Sequence, residues 1–213
     1  MEDALVFSLI IGVFVGFSAG YLGSIMVLEK MALVGDALSH VALPGLALGI
    51  IFNFNPFFGA FGFLFASAVA IWHLGRVTKL PFETLVGATF TLALAIGILM
   101  ISDLDALEAA LFGDITAASL LDTILASIIS IIAIFLTRTI HKNIVLSLIS
   151  EELAISNGIN VARTNLLYLL LVSLTVAIGI KITGTLLVGF LVVTPAAAAR
   201  TISSNLSTYS ALS

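Results

Sequence analysis

The chain has no cysteine among its 213 residues. That absence excludes disulfides, thiolate-bound metal and iron–sulfur clusters. Charge is almost as scarce: Asp, Glu, Lys and Arg make up 9% of the residues, against about 25% in a soluble domain. No G-x-x-x-x-G-K-[S/T] phosphate loop occurs, so ATP hydrolysis by that route has to come from another polypeptide. No H-E-x-x-H helix and no obvious nucleophile–base constellation occur either, which argues against a metal-dependent membrane hydrolase. The N-terminus, MEDALVF, lacks the basic n-region of a secretory signal, so the first hydrophobic run is expected to stay as a helix.

What is present is apolar. Hydrophobic residues make up 61% of the chain, where a soluble domain carries about 45–50%. A spanning helix needs roughly 20 mostly apolar residues, and several such runs follow one another. The expected fold is therefore all-α: a polytopic transmembrane bundle of about seven helices, in a single domain over 1–213. The helices are expected near 4–28, 31–52, 56–75, 84–101, 120–140, 164–181 and 184–200. FNFNP (52–56) and KLPF (79–82) supply turn chemistry. Two breaks are longer, an acidic one at 102–119 and a polar one of mixed charge at 141–163. No internal repeat or low-complexity tract is evident.

The basic residues set an expected orientation. Lys30, Arg76, Lys79, Arg138, Lys142, Arg163 and Arg200 fall at one set of helix ends, and Lys181 alone at the other. The positive-inside rule makes the first set cytoplasmic and leaves the N-terminus outside. Asp103, Asp105, Glu108 and Asp114 then lie in an external loop, as solvated residues or as a field that guides cations. Gly12, Gly16 and Gly20 form a small-xxx-small stripe for close helix packing, within the subunit or between subunits. Trp72 reads as an interfacial anchor. Pro195 is expected to kink or break the last helix, and Lys181 to snorkel to the outer interface. His73 and His141 are placed near cytoplasmic helix ends, where they read as interfacial.

VGDALSHVALPG (34–45) stands out from this background. Asp36 and His40 are one turn apart on one helical face. Counted from Lys30 they lie roughly 9 and 15 Å into a hydrocarbon layer about 30 Å thick. An ionisable group at that depth costs at least ~2.5–3.5 kcal/mol, and such groups usually face a polar pathway. Pro44 cannot donate to the His40 carbonyl, which leaves that oxygen for water, a side chain or an ion. Ser39 adds a hydroxyl, and Gly35 and Gly45 admit a close backbone. Carboxylate with imidazole suits Zn²⁺, Mn²⁺ or Fe²⁺. Three readings follow from the spacing: a pair satisfied within the chain, a transient metal site, or a proton relay. Two ligands do not complete a tetrahedral shell; a two-fold dimer presenting the same face twice would offer four.

LEKMALVGDALSHVALPGLALG (28–49) resembles the signature of membrane permeases from ATP-binding-cassette importers of zinc, manganese and iron. LFGDITAASLLD (111–122), EELAISNGINVAR (151–163) and KITGTLLVGFLVVTPAAAAR (181–200) agree in order and approximate spacing, so the resemblance covers nearly the whole chain. It implies a cell-membrane (inner or plasma), multi-pass permease that works as a homodimer in the lipid bilayer. A cytoplasmic ABC ATPase would drive it and an extracytoplasmic metal-binding protein would supply it, with no role for nucleic acid and no permanently bound cofactor. The resemblance makes Asp36 and His40 the residues that contact the transported ion, with Ser39 and Pro44 supporting the path.

The same resemblance makes 141–163 a cytoplasmic coupling segment that docks into the ATPase through Glu151, Glu152, Ala154 and Gly158. Physically, two acids suit the start of a short helix, and Gly158 can end it in a left-handed conformation. A plain solvated connector is the other reading of those residues. Members of the family continue past the TPAAAAR block with at least one further hydrophobic span, whereas this sequence stops at TYSALS, so it is expected to be truncated at the C-terminus relative to them. The alternatives to an ATP-driven importer are an ion-coupled secondary metal carrier and a truncated, non-transporting remnant.

Overall fold

The computed structural model describes residues 2–29, 31–78, 80–101, 104–114 and 118–213. Lys30, Lys79, Asp103 and residues 115–117 of the LFGDITAASLLD block lie outside them. The described residues are helical almost throughout, with no strand among them. In lipid every backbone N–H and C=O must be satisfied internally, and a helix does this within one segment. The helices are α1 (Glu2–Leu28), α2 (Ala32–Val41), α3 (Leu43–Ile51), α4 (Pro56–Thr78), α5 (Phe82–Met100), α6 (Leu104–Phe112), α7 (Leu120–Ile149), α8 (Glu151–Ser156), α9 (Val161–Ile202) and α10 (Leu206–Leu212).

Among the described residues six stretches are long and apolar enough to cross a membrane: α1, α2 with α3, α4, α5, α7 and α9. The last has 42 residues and would be roughly 63 Å long if straight, twice the hydrocarbon thickness. It is not straight. Gly184 leaves the helix at φ 68°, ψ 176°, and a Cβ on Gly179 would overlap the Val188 side chain. On an unbroken helix those residues would stand about 13 Å apart. The chain therefore reverses at Gly184 into two antiparallel limbs, matching the expected pair 164–181 and 184–200.

Four expectations change. The helix placed at 31–52 divides at Ala42, because Pro44 enters the first turn of α3 without an N–H to give back to α2. The acidic break at 102–119 contains α6, a short helix that ends at Gly113 (φ 73°) against Gly184. The helix ending near 140 continues to Ile149, since a helix leaving the hydrocarbon keeps its own hydrogen bonds whatever surrounds it. Pro195 sits inside α9 without breaking it; Gly184 is the non-helical residue there.

The two ends of the bundle differ in character. At one end, Trp72 Nε1 donates to the Ala162 carbonyl at 2.7 Å while the Arg76 guanidinium lies 5.0 Å over its ring. Arg200 Nη1 donates to the Val27 carbonyl at 3.1 Å at that same end. At the other, Lys181 Nζ meets Asp122 Oδ1 at 2.6 Å, so this lysine is ion-paired where simple snorkelling was expected. Around a core that includes Leu22, Ile25, Leu38, Leu43, Leu64 and Val176, Tyr168 and Tyr209 donate to the Leu22 and Ser24 carbonyls at 2.9 and 3.0 Å. The glycine stripe splits: Cβ atoms on Gly12 and Gly16 would meet open space, whereas Gly20 abuts the Ser213 carbonyl.

Candidate metal site

Helix α2 carries both members of the intramembrane pair, and its neighbours fix where they point. His40 Nε2 lies 3.9 Å from Asp36 Oδ1, too far for a hydrogen bond yet close enough for one cation to touch both. The Asp36 side chain is 43% exposed and that of His40 13%. His40 Nδ1 is buried with no hydrogen-bond partner among the described residues, and its ring lies 5.6 Å from that of Phe90 at 53°. The two side chains are therefore not closed onto each other.

Asp36 is seated by the returning limb of α9. A Cβ on Gly189 would stand 2.6 Å from Asp36 Cα and 2.8 Å from its Oδ1, so only a residue without one lets the helices meet there unshifted. On its open side Asp36 lines a cavity of about 490 Å³ between α2 and α5, together with Val34, Glu83, Gly87 and Phe90. Glu83 is the acid that reading the sequence missed. Its one signal was a carboxylate in the first turn of a helix, which ordinarily means a favourable helix dipole.

The supporting residues are placed differently from the pair. Ser39 is fully buried and donates its hydroxyl to the Asp36 carbonyl at 2.6 Å, which leaves it facing its own helix. Pro44 is buried in the first turn of α3, where Gly97 of α5 makes room: a Cβ there would fall 2.7 Å from Leu43 Cβ. Gly45 meets the Gly59 carbonyl of α4, backbone to backbone, while a Cβ on Gly35 would stand 3.3 and 3.4 Å from the Val192 and Val193 side chains. Among the described residues no three His, Asp or Glu side chains gather as a ligand set, and Asp36 and His40 stand there as a pair.

A second, smaller cavity of about 100 Å³ adjoins the first, separated by Met31 and Val34, which line both. It holds Glu29, Asn165 and Tyr168. Burial pushes the Glu29 carboxyl up to about 7. The other histidines stand apart: His73 is exposed, and His141 stacks on Tyr21 at 6.0 Å, within α7 and well before its end. Asp105, Glu108 and Asp114 are exposed.

The polar segment after α7 forms the expected short helix. Ser150 caps α8 by accepting from the Leu153 N–H, and the end is a Schellman motif. Ile159 N–H donates to Ala154 O and Gly158 N–H to Ile155 O, with Gly158 left-handed at φ 78°. Glu151 and Glu152 are exposed in the first turn. Ala154, expected at a partner contact, is fully buried inside the chain, and Leu153 and Ile155 take the outward positions, 53% and 58% exposed.

A sequence model of the ABC 3 transport family matches residues 1–213. The chain is 33% identical over 203 residues to the manganese transport system membrane protein MntC of Listeria monocytogenes, covering 94% of this chain and 72% of that protein. It is 31% identical over 204 residues to the high-affinity zinc uptake system membrane protein ZnuB of Haemophilus influenzae, covering 94% and 78%. Among solved structures, PsaBC from Streptococcus pneumoniae in complex with Fab superposes with a TM-score of 0.80 at 30% identity, covering 96% of this chain and 75% of that one.

Proposed function

Since the chain belongs to the ABC 3 transport family, we propose that it is the membrane-spanning subunit of an ATP-driven importer of a divalent transition metal, with Asp36 and His40 as the residues the ion touches. The observation that carries this reading is the open pair: a half-exposed carboxylate and an imidazole with an unpartnered nitrogen, 3.9 Å apart on a membrane-embedded helix. A pair kept for structure would close its hydrogen bonds, because unsatisfied buried polar groups cost about 1–3 kcal/mol each. The relatives named above are manganese and zinc proteins, and Mn²⁺ and Zn²⁺ both accept carboxylate and imidazole; iron is the third cargo that this donor set suits.

Two donors per chain hold an ion loosely. A second copy related by a two-fold axis brings four, and Glu83, on the wall facing Asp36, adds an oxygen along the way out. A shell that never closes suits transport, since an ion held in a complete tetrahedral cage would not leave. The N-terminus is placed outside, so that Arg76, Arg163 and Arg200 lie in the cytoplasm with α8. An extracytoplasmic metal-binding protein delivers the ion at the opposite end. Residues 141–163 couple the permease domain to a cytoplasmic ABC ATPase, with Glu151, Glu152, Leu153, Ile155 and Gly158 on the outward surface and Ala154 holding α8 to the bundle.

The test is metal uptake by cells that lack their own importer and carry this protein with its ATPase and delivery protein. Asp36→Asn and His40→Ala are each expected to remove uptake of Mn²⁺ and Zn²⁺ while leaving membrane insertion and ATPase association unchanged. Glu83→Gln is expected to slow it several-fold, or about 1 kcal/mol. Undiminished uptake in a well-expressed Asp36→Asn protein overturns the reading, and uptake by vesicles holding this protein alone, without ATP, supports the secondary carrier instead.

A further inference from the structure

At the end of the bundle opposite α8, a groove of about 310 Å³ opens between α1, α4, α7 and α9. Ile11, Phe57, Leu125, Ile129 and Ile178 make its wall apolar. Leu121 and Leu125 are 65% and 48% exposed, so its mouth faces sideways toward lipid. From Leu121 to Ile129 it follows α7 for about 12 Å. The polar end is formed by Asn55, Asp122 and Lys181, at the level where α4 and α7 begin.

The hydrogen-bonding capacity there is only partly used. Asp122 Oδ2 accepts from the Ser119 N–H at 3.0 Å and the Ser119 hydroxyl at 2.6 Å, and Oδ1 accepts from Lys181 at 2.6 Å. A carboxylate has about four lone-pair sites, so one remains. Lys181 has three N–H donors; among the described residues one is taken, by Asp122. The end of the groove thus offers spare donors to an oxyanion and one spare acceptor to a cation, above an apolar trough.

The geometry points to a binding site for one zwitterionic phospholipid with a primary-ammonium headgroup. Its phosphate sits on Lys181, its ammonium on Asp122, and one acyl chain lies along Leu125, Ile129 and Ile178. The choice of headgroup follows from the pair. An anionic headgroup would meet the Asp122 carboxylate, and the quaternary ammonium of choline has no N–H to donate to it. This site shares no residue with the Asp36–His40 path and stands or falls separately from it.

The experiment is native mass spectrometry of the permease assembled with its ATPase, with phosphatidylethanolamine, phosphatidylglycerol and phosphatidylcholine as competing probes. One phosphatidylethanolamine per permease chain is expected, preferred about tenfold over the others. Leu125→Trp, which fills the trough without touching the ion pair, and Lys181→Gln are each expected to lose it. Leu99→Trp, on a lipid-facing position of α5 that is 84% exposed, is expected to keep it, and this shows that a bulky surface tryptophan alone does not strip lipid. Equal retention of the three lipids overturns the proposal, as does retention unchanged in both groove variants, or a protein segment found in the groove. Because Leu125→Trp leaves the ion pair intact, a folding defect in Lys181→Gln does not remove the test.

Discussion

Single residues carry the proposed chemistry, and they were unevenly legible. Asp36 and His40 draw attention in the sequence because charge is so rare in this chain that an i, i+4 acid and imidazole inside an apolar run stands out. Glu83 was hidden for the opposite reason: an acid opening a helix is ordinary, and only the fold brings it to the cavity that holds Asp36. Ser39 shows the limit of spacing as evidence, since a hydroxyl beside a site can as easily bond its own helix. Glu29 yields a pH prediction. Its carboxyl is raised by burial from an ordinary 4.5 to about 7, so between those values the folded state binds its proton more tightly than the unfolded chain does. Stability then falls as pH rises through that window and stays lowered above it. Glu29→Gln is expected to raise the unfolding temperature in detergent at pH 8 and to change it little at pH 5; equal shifts at both would show that the carboxyl ionises as an exposed one does.

At the scale of elements, apolar run length was a good guide to which segments span and a poor one to where they stop. α7 passes its expected end because His141, Lys142 and Asn143 extend a helix as readily as apolar residues do once it reaches the membrane surface. The division at Ala42 follows from Pro44, whereas Pro195 lies inside a helix that continues around it. Neighbouring helices and side chains re-satisfy freed carbonyls in one membrane context and not in another, and sequence does not distinguish the two. The glycines give a graded test. Gly184→Ala puts a Cβ at φ 68° against the Leu111 carbonyl and the Gly113 nitrogen. It is expected to cost at least about 1–3 kcal/mol and to lower the yield of folded protein. Gly158→Ala is left-handed but opens onto free space, and about 1 kcal/mol is expected, confined to α8. Gly12→Ala, helical and unobstructed, is expected to be neutral or slightly stabilising. Thermal unfolding of the three variants side by side checks the order.

For the whole molecule, fold class was written in the composition, and the seven antiparallel limbs in the breaks between runs. How α8 presents itself was not, because a helix of six residues has no periodicity to read. Its outward pair, Leu153 and Ile155, gives the prediction at this scale. Leu153→Asp with Ile155→Asp is expected to abolish co-purification of the ATPase while leaving the permease inserted and the Asp36–His40 pair intact. Pull-down from membranes reads this directly, and full recovery of the ATPase would move the docking surface elsewhere.

The reversal at Gly184 has a mechanical consequence. From Val161, which follows the turn after α8, the chain climbs one limb of α9, reverses at a single residue, and within five residues more, at Gly189, rests its backbone on Asp36. In the importer proposed above, tilting that limb at its base is expected to shift the surface under the carboxylate. If the function proposed above holds, the stroke of the motor and the grip on the cargo are two ends of one lever, whose fulcrum is an amino acid with no side chain.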